Sequence, residues 1–138
     1  MKVFWSVALP LLFGAALFLL AACATVVPAE QRIAERVTAR WDAVLSGDLA
    51  GAYAYLSPGY RSSVTLLRYQ RSVLLNRVRW TDARYMQGNC AETTCKVKIS
   101  LDYTLYGGLP GVKSFDGTQT VEESWVLADG LWYLVPEK

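Results

Sequence analysis

The chain has 138 residues, enough for one domain of ordinary size, and its 14 basic and 12 acidic residues leave a net charge of +2. This balance, with the arginines dispersed, gives no indication of nucleic-acid binding. There is no histidine, so the commonest general base near neutral pH is excluded and no zinc site is predicted. No Gly-rich phosphate loop or nucleophile motif occurs, and no cofactor is predicted.

The first predicted element is an apolar leader. No charged residue occurs over residues 3–29, and a run of about 20 apolar residues can cross a bilayer as a helix. The single basic residue Lys2, the Leu/Phe/Ala-rich middle and the small residues Ala21 and Ala22 are instead typical of a cleavable secretory signal. An uncleaved membrane anchor is the alternative interpretation.

The end of the leader, Leu20-Ala21-Ala22-Cys23, resembles the lipobox of bacterial lipoproteins. The resemblance implies that residues 1–22 are removed as a signal peptide, and that Cys23 becomes the first residue and carries diacylglycerol and an acyl chain such as palmitate. Enterobacterial lipoproteins retained in the inner membrane have Asp where this chain has Ala24. The resemblance therefore implies attachment to the membrane through the lipid on Cys23, in the cell envelope, facing the periplasm, at the outer rather than the inner membrane.

After Cys23, residues 24–29 form a short tether, and residues 30–138 form the predicted domain. Apolar residues at helical spacing alternate with charges over residues 30–46, which predicts an amphipathic helix. Gly47 follows as a stop signal.

Two further helices are predicted. Asp48 is suited to cap a short helix over residues 49–56, which the "SPG" turn ends. Ser62 or Ser63 is suited to cap a third helix that runs to about Asn76.

From residue 77 onward, the spacing of side-chain types changes from the helical period to the two-residue period of strands. Residues 77–87 alternate without a clear apolar face, and the alternation puts Asp82 and Arg84 beside Trp80. Residues 95–106 alternate clearly between apolar and polar side chains, which predicts a half-buried antiparallel strand. The remaining predicted elements are a loop over 107–117, a strand around 121–127, a turn at Asp129-Gly130 and a last strand over 131–135.

Cys90 and Cys95 lie in "NCAETTC", between the first two predicted strands. In an exported protein they would sit in an oxidising compartment, where disulfides persist. They are therefore predicted to form a disulfide across the mouth of a hairpin with residues 91–94 as its loop. A redox role is disfavoured because four intervening residues do not match the C-x-x-C pattern.

Helices followed by an antiparallel sheet predict an α+β domain, with three N-terminal helices packed on a curved sheet of about four strands. The segment "VTARWDAVLSGDLAGAYAYLSPGYR" resembles the opening of the nuclear transport factor 2-like superfamily, which includes the SnoaL-like polyketide cyclases. "ESWVLADGLWYLVPE" resembles its closing hairpin. The resemblance implies a cone-shaped half-barrel around a long helix, with a pocket at the open end.

Aromatic residues are numerous enough to line such a pocket, although packing in the core is the alternative role and the one that we favour. The candidates are Trp41, Tyr53, Tyr60, Tyr69, Trp80, Tyr103 and Trp125. Asp82 is a weak acid–base candidate with Arg84 beside it, and a solvent-exposed ion pair is the favoured alternative.

The leading functional hypothesis is a lipid-anchored envelope domain without an evident catalytic set, acting in binding or assembly and able to hold a small apolar ligand. The first alternative is a small isomerase- or dehydratase-type enzyme that acts on an apolar ligand in the cone. The second is a structural module whose outer sheet face forms a homodimer or binds another envelope protein, which predicts an apolar patch on that face.

Overall fold

The computed structural model describes residues 27–137, so the predicted signal peptide and Cys23 lie outside the described residues. Four helices precede four strands, which confirms the α+β architecture with one helix more than predicted. The elements are α1 Ala29–Leu45, α2 Leu49–Ala54, α3 Pro58–Ser63, α4 Leu66–Leu74, β1 Val78–Cys90, β2 Thr94–Leu109, β3 Val112–Ala128 and β4 Leu131–Val135. Within residues 27–137, no helix is both long enough and apolar enough to cross a membrane.

The first two helices follow the predicted signals. α1 ends at Leu45 with Ser46 as its C-cap, and Gly47 adopts the left-handed conformation (φ +82°) that glycine tolerates after a helix. Asp48 caps α2, because its carboxylate accepts a hydrogen bond of 2.9 Å from the backbone N–H of Gly51.

The additional helix is α3, which begins where the "SPG" turn was predicted only to end α2. The Ser57 hydroxyl accepts from the N–H of Tyr60, and Pro58 fits the first turn because no intrahelical donor is needed there. The predicted cap of the next helix at Ser62 or Ser63 is wrong. Thr65 caps α4 instead.

The four strands form an antiparallel meander in the order β1-β2-β3-β4. The predicted loop over 107–117 is wrong: β2 and β3 stay paired up to Leu109 and Val112 around a two-residue turn at Pro110 and Gly111. Glycine and proline in this segment favoured a loop. Pairing with the neighbouring strand nevertheless satisfies its backbone groups and keeps it extended.

β1 contains two register shifts, one between Trp80 and Asp82 and one between Tyr85 and Gln87. Each is a β-bulge, in which one extra residue reverses the side-chain alternation that follows. Trp80 and Tyr85 therefore both pack toward the helices. Asp82 points to the opposite face from Trp80, so their predicted shared face is wrong.

The core lies between α1 and the concave face of the sheet, with α2 and α4 at its side. β4 is tied to the helical layer because the N–H of Leu134 donates to the carbonyl of Tyr55, and the N–H of Ser57 to that of Leu134. Core residues with little or no exposure are Ile33, Val37, Trp41, Ala52, Leu56, Val97, Ile99, Leu101, Trp125 and Trp132.

Cys90 and Cys95 form the predicted disulfide and are the last cross-strand pair of β1 and β2. Closing so short a loop restricts the unfolded chain by about 2 kcal/mol. We expect Cys90→Ala to lower the free energy of unfolding by about this amount, measured by urea denaturation. In dithiothreitol the wild-type protein should match the variant. A variant as stable as the oxidised wild type would contradict a stabilising role.

Candidate functional site

A carboxylate occupies the centre of the interface between α1 and the sheet. Glu123 accepts hydrogen bonds from an Arg40 guanidinium N–H at 2.9 Å, from Trp41 Nε1 at 3.1 Å and from Trp125 Nε1 at 2.9 Å. The side chains of Arg40 and Glu123 are only 10% and 11% exposed. We call these four residues the Glu123 cluster.

The elements position the cluster by simple periodicity. Arg40 and Trp41 are neighbours in the last turns of α1, while Glu123 and Trp125 are two residues apart in β3 and therefore share a face. Three donors occupy three of the roughly four acceptor positions of the carboxylate. Glu123 consequently neutralises Arg40 and orients two indoles, which makes it unsuited to take a proton from a substrate.

The sequence contained a signal for Glu123, because this residue lies at every-second-residue spacing from Val121 and Trp125 and therefore shares their inward face of β3. Sequence reasoning did not identify it as a site residue. By helical spacing Arg40 belongs to the charged positions of α1, yet only 8% of this residue is exposed. A long side chain can extend across a helix surface, so helical spacing alone did not place its guanidinium.

Tyr69 on α4 is buried next to this cluster. Within residues 27–137, its hydroxyl and the Nε of Arg40 have no hydrogen-bond partner. Burial raises the pKa of Tyr69 above the ordinary value of a phenol, and the nearby charge of Arg40 opposes this shift. The Tyr69 hydroxyl therefore stays neutral near pH 7.

The predicted pocket aromatics mostly pack on one another. Trp80 makes edge-to-face contacts with Trp41 and Tyr103, each with ring centroids 5.9 Å apart. Tyr53 packs against Tyr69 at 5.6 Å and donates its hydroxyl to the carbonyl of Val64.

The last two candidates are also packed. Trp125 is fully buried, and Tyr60 is half-buried against the core. These contacts bring the predicted aromatic set together in or against the core, and Trp80 also lines the open groove described below.

Asp82 and Arg84 lie on the outer face of the sheet. Arg84 binds the carboxylates of both Asp82 and Asp102, which are directly opposite each other on β1 and β2. Hydrogen bonds from Arg84 and Thr118 lower the pKa of Asp102 to about 2. The arginine thus offsets repulsion between facing like charges, and this exposed cluster matches the ion pair favoured from the sequence.

Other polar contacts also lie on the outer face. The ammonium group of Lys96 donates to the hydroxyl of Ser124, and the hydroxyl of Thr104 donates to Asp116.

An open groove lies at the end of the molecule where α1 and α4 finish and β1 begins. Its volume is about 270 Å³. Seven of the eleven residues that line it have apolar side chains, and its polar side chains are Ser46, Asn76 and Arg79. The apolar lining residues are Val44, Leu45, Leu49, Val73, Leu74, Val78 and Trp80.

A second cavity, of about 460 Å³, shares Asn76 and Arg79 with the groove and adds Arg77 and Tyr106. No carboxylate lines either of these two cavities. We call the groove and this adjoining cavity together the open-end site. It combines an apolar wall with an arginine rim, a composition that suits a ligand with an apolar part and a negative charge.

A further groove, of about 320 Å³, lies between α1 and the start of β4. Arg36 lies over the ring of Tyr55 at 4.4 Å and donates to the carbonyl of Trp132. Arg61 donates to the backbone carbonyl of Leu56. These two arginines are engaged in holding the fold.

The Glu123 cluster predicts that the free energy of unfolding depends strongly on keeping the buried charge of Arg40 paired with that of Glu123. We expect Glu123→Gln to lower the free energy of unfolding by about 3–5 kcal/mol, because Arg40 then remains buried without a counter-charge. Adding Arg40→Met should recover much of the loss, measured by urea denaturation. Lys96→Gln, which breaks an exposed pair with Glu122 at 3.6 Å, should cost at most about 1 kcal/mol. Equal effects of Glu123→Gln and Lys96→Gln would contradict this account.

No protein-family model matches the sequence, and no curated protein matches it. Solved structures do match. A SEC-C motif containing protein from Rhodopseudomonas palustris is similar with a TM-score of 0.57 and 13% identity, over 73% of each chain. A candidate dehydratase of the nuclear transport factor 2-like family from Streptomyces avermitilis has a TM-score of 0.51 and 12% identity, over 75% of this chain and 89% of that one. At these identities the likeness concerns the fold, and the chain has the nuclear transport factor 2-like fold.

Proposed function

We propose that this protein is a lipid-anchored domain of the bacterial cell envelope that binds a ligand at its open end and catalyses no reaction. One observation carries the proposal: the buried carboxylate is occupied by three structural donors, while an apolar groove with an arginine rim remains open. Among the described residues that line this site there are two arginines and no carboxylate that could act as a general base, a composition that suits binding.

The direction of α1 supports an arrangement with anchor and site at opposite ends. Ile33, near the start of α1, packs on Gly88 near the end of β1. Val44, near the end of α1, and Val78, at the start of β1, line the same groove. A helix of 17 residues is about 25 Å long. If Cys23 carries lipid, its short tether joins the end of the domain remote from the open-end site, which would leave this site facing the periplasm.

The lipid anchor is tested by mass spectrometry of the protein extracted from membranes. We expect the mass of residues 23–138 plus diacylglycerol and one acyl chain, less two hydrogens for the disulfide. Cys23→Ser should retain residues 1–22, whereas Cys90→Ala, the matched control, should still be processed and lipidated. A wild-type protein with the mass of residues 1–138 would contradict the anchor.

Binding is tested on the same material under native conditions. A ligand at the open-end site should remain with the wild-type protein as an added mass. It should be lost from Trp80→Ala, which removes part of the groove wall.

A second candidate function is catalysis of the isomerase or dehydratase type. The observation in its favour is the Tyr69 hydroxyl, which is buried near Arg40 and has no hydrogen-bond partner within residues 27–137, in a chain whose fold neighbours include a candidate dehydratase. Leaving such a group unpaired costs about 1–3 kcal/mol. A cost of this kind is common at functional sites.

Tyr69→Phe tests this candidate. We expect the free energy of unfolding at pH 7 to stay equal or rise by about 1 kcal/mol, because the variant removes an unpaired hydroxyl. Since the pKa of Tyr69 is raised in the folded state, the neutral phenol stabilises the wild type fully below about pH 10, the unfolded value. This contribution is lost as pH rises through the folded pKa, and the variant should not show that loss in urea titrations.

Tyr53→Phe is the matched control, because its hydroxyl donates to the carbonyl of Val64 at 2.6 Å. It should lose about 1 kcal/mol. If Tyr69→Phe loses as much, the Tyr69 hydroxyl is an ordinary structural group and the catalytic candidate loses its support.

A further inference from the structure

The segment of the chain that contributes most to the open-end site has arginines as its only charged residues. Between Asp48 and Asp82 there are five arginines, no lysine and no acidic residue. Arg61 is engaged with the backbone of Leu56. The other four are exposed, and within residues 27–137 none of them forms an ion pair: Arg68, Arg71, Arg77 and Arg79.

Exposed leucines accompany these arginines. Leu74 is 72% exposed and lines the groove, and the adjacent Leu75 is 82% exposed. Tyr106, 49% exposed, borders the adjoining cavity beside Arg77 and Arg79. Apolar surface gathered around an open groove and rimmed by polar groups is typical of a binding site.

We propose that the open-end site binds a single-chain anionic amphiphile, with its hydrocarbon chain in the groove and its carboxylate at Arg77 and Arg79. The proposal rests on the binding function proposed above and names the chemistry of its ligand. A guanidinium pairs with a carboxylate through two parallel hydrogen bonds, so two adjacent arginines favour an anionic head group.

The size of the groove favours one chain. A volume of about 270 Å³ is just below the range for ligand pockets, about 300–1,000 Å³. A diacyl lipid would leave one chain in water. The open-end site also lies about 25 Å, the length of α1, from the end that bears the proposed tether, which disfavours insertion of the leucines into the anchoring membrane.

The test uses the full chain reconstituted in phosphatidylcholine nanodiscs. Trp80 lines the groove, so 11-bromoundecanoate should quench tryptophan fluorescence saturably, through the heavy atom at the end of its chain. The neutral 11-bromoundecanol should bind more weakly because it lacks the charge. Arg77→Gln/Arg79→Gln should raise the Kd for bromoundecanoate about tenfold or more.

The matched control is Arg68→Gln/Arg71→Gln, which removes the same charge from α4 but no residue that lines either cavity. Its Kd should equal that of the wild type. All four side chains are exposed, so both double variants should fold, as checked by circular dichroism.

Three results would overturn the proposal. Equal quenching by the alcohol and the carboxylate would indicate partition into lipid, and equal weakening in both double variants would indicate a diffuse basic surface that binds an anionic membrane. Absence of saturable quenching would exclude the site for this ligand class. A different ligand found by native mass spectrometry would leave the proposed binding function standing, whereas an unprocessed leader would remove only the anchor.

Discussion

The structure depends on one buried charge pair. Glu123 and Arg40 are almost fully removed from water, where an isolated charge is very costly, and the pair is tolerated because Trp41 and Trp125 complete the hydrogen bonds of the carboxylate. Two of these residues come from α1 and two from β3, so the cluster fixes how the long helix lies across the sheet. A rotation or slide of α1 would leave a buried charge without its partner.

The same constraint decides what the inside of the cone can do. With the indoles held by Glu123, Trp41 is in place to pack on Trp80, and Trp80 on Tyr103, so aromatic rings fill the space that a ligand would need. The accessible cavities described above lie at the periphery instead, and the groove at the open end has both apolar and polar side chains in its wall. In this chain the nuclear transport factor 2-like fold has a packed interior, and the open-end site lies at its periphery. The fold alone therefore does not say where a ligand would bind, because function belongs to particular sites.

Two surfaces of the domain differ in whether their charged side chains are paired. The outer sheet face pairs its charges across strands, as Arg84 does with Asp82 and Asp102. The edge formed by α4 and the start of β1 has arginines that find no acid within residues 27–137. This combination of unpaired arginines and exposed leucines is the composition on which the proposed binding of an anionic amphiphile rests.

Local chemistry explains which features the sequence determined by itself. The order of helices and strands, the Asp48 cap, the Gly47 stop and the hairpin disulfide all depend on neighbours in the chain, and each was predicted from them. Tertiary structure alone decided the rest. The bulges that moved Asp82 away from Trp80 arise where β1 must bend to follow the sheet, the segment 107–117 is a strand because a partner pairs with it, and the Arg40–Glu123 pair joins residues 83 positions apart. No local periodicity carries such information, because it is created only when distant segments meet.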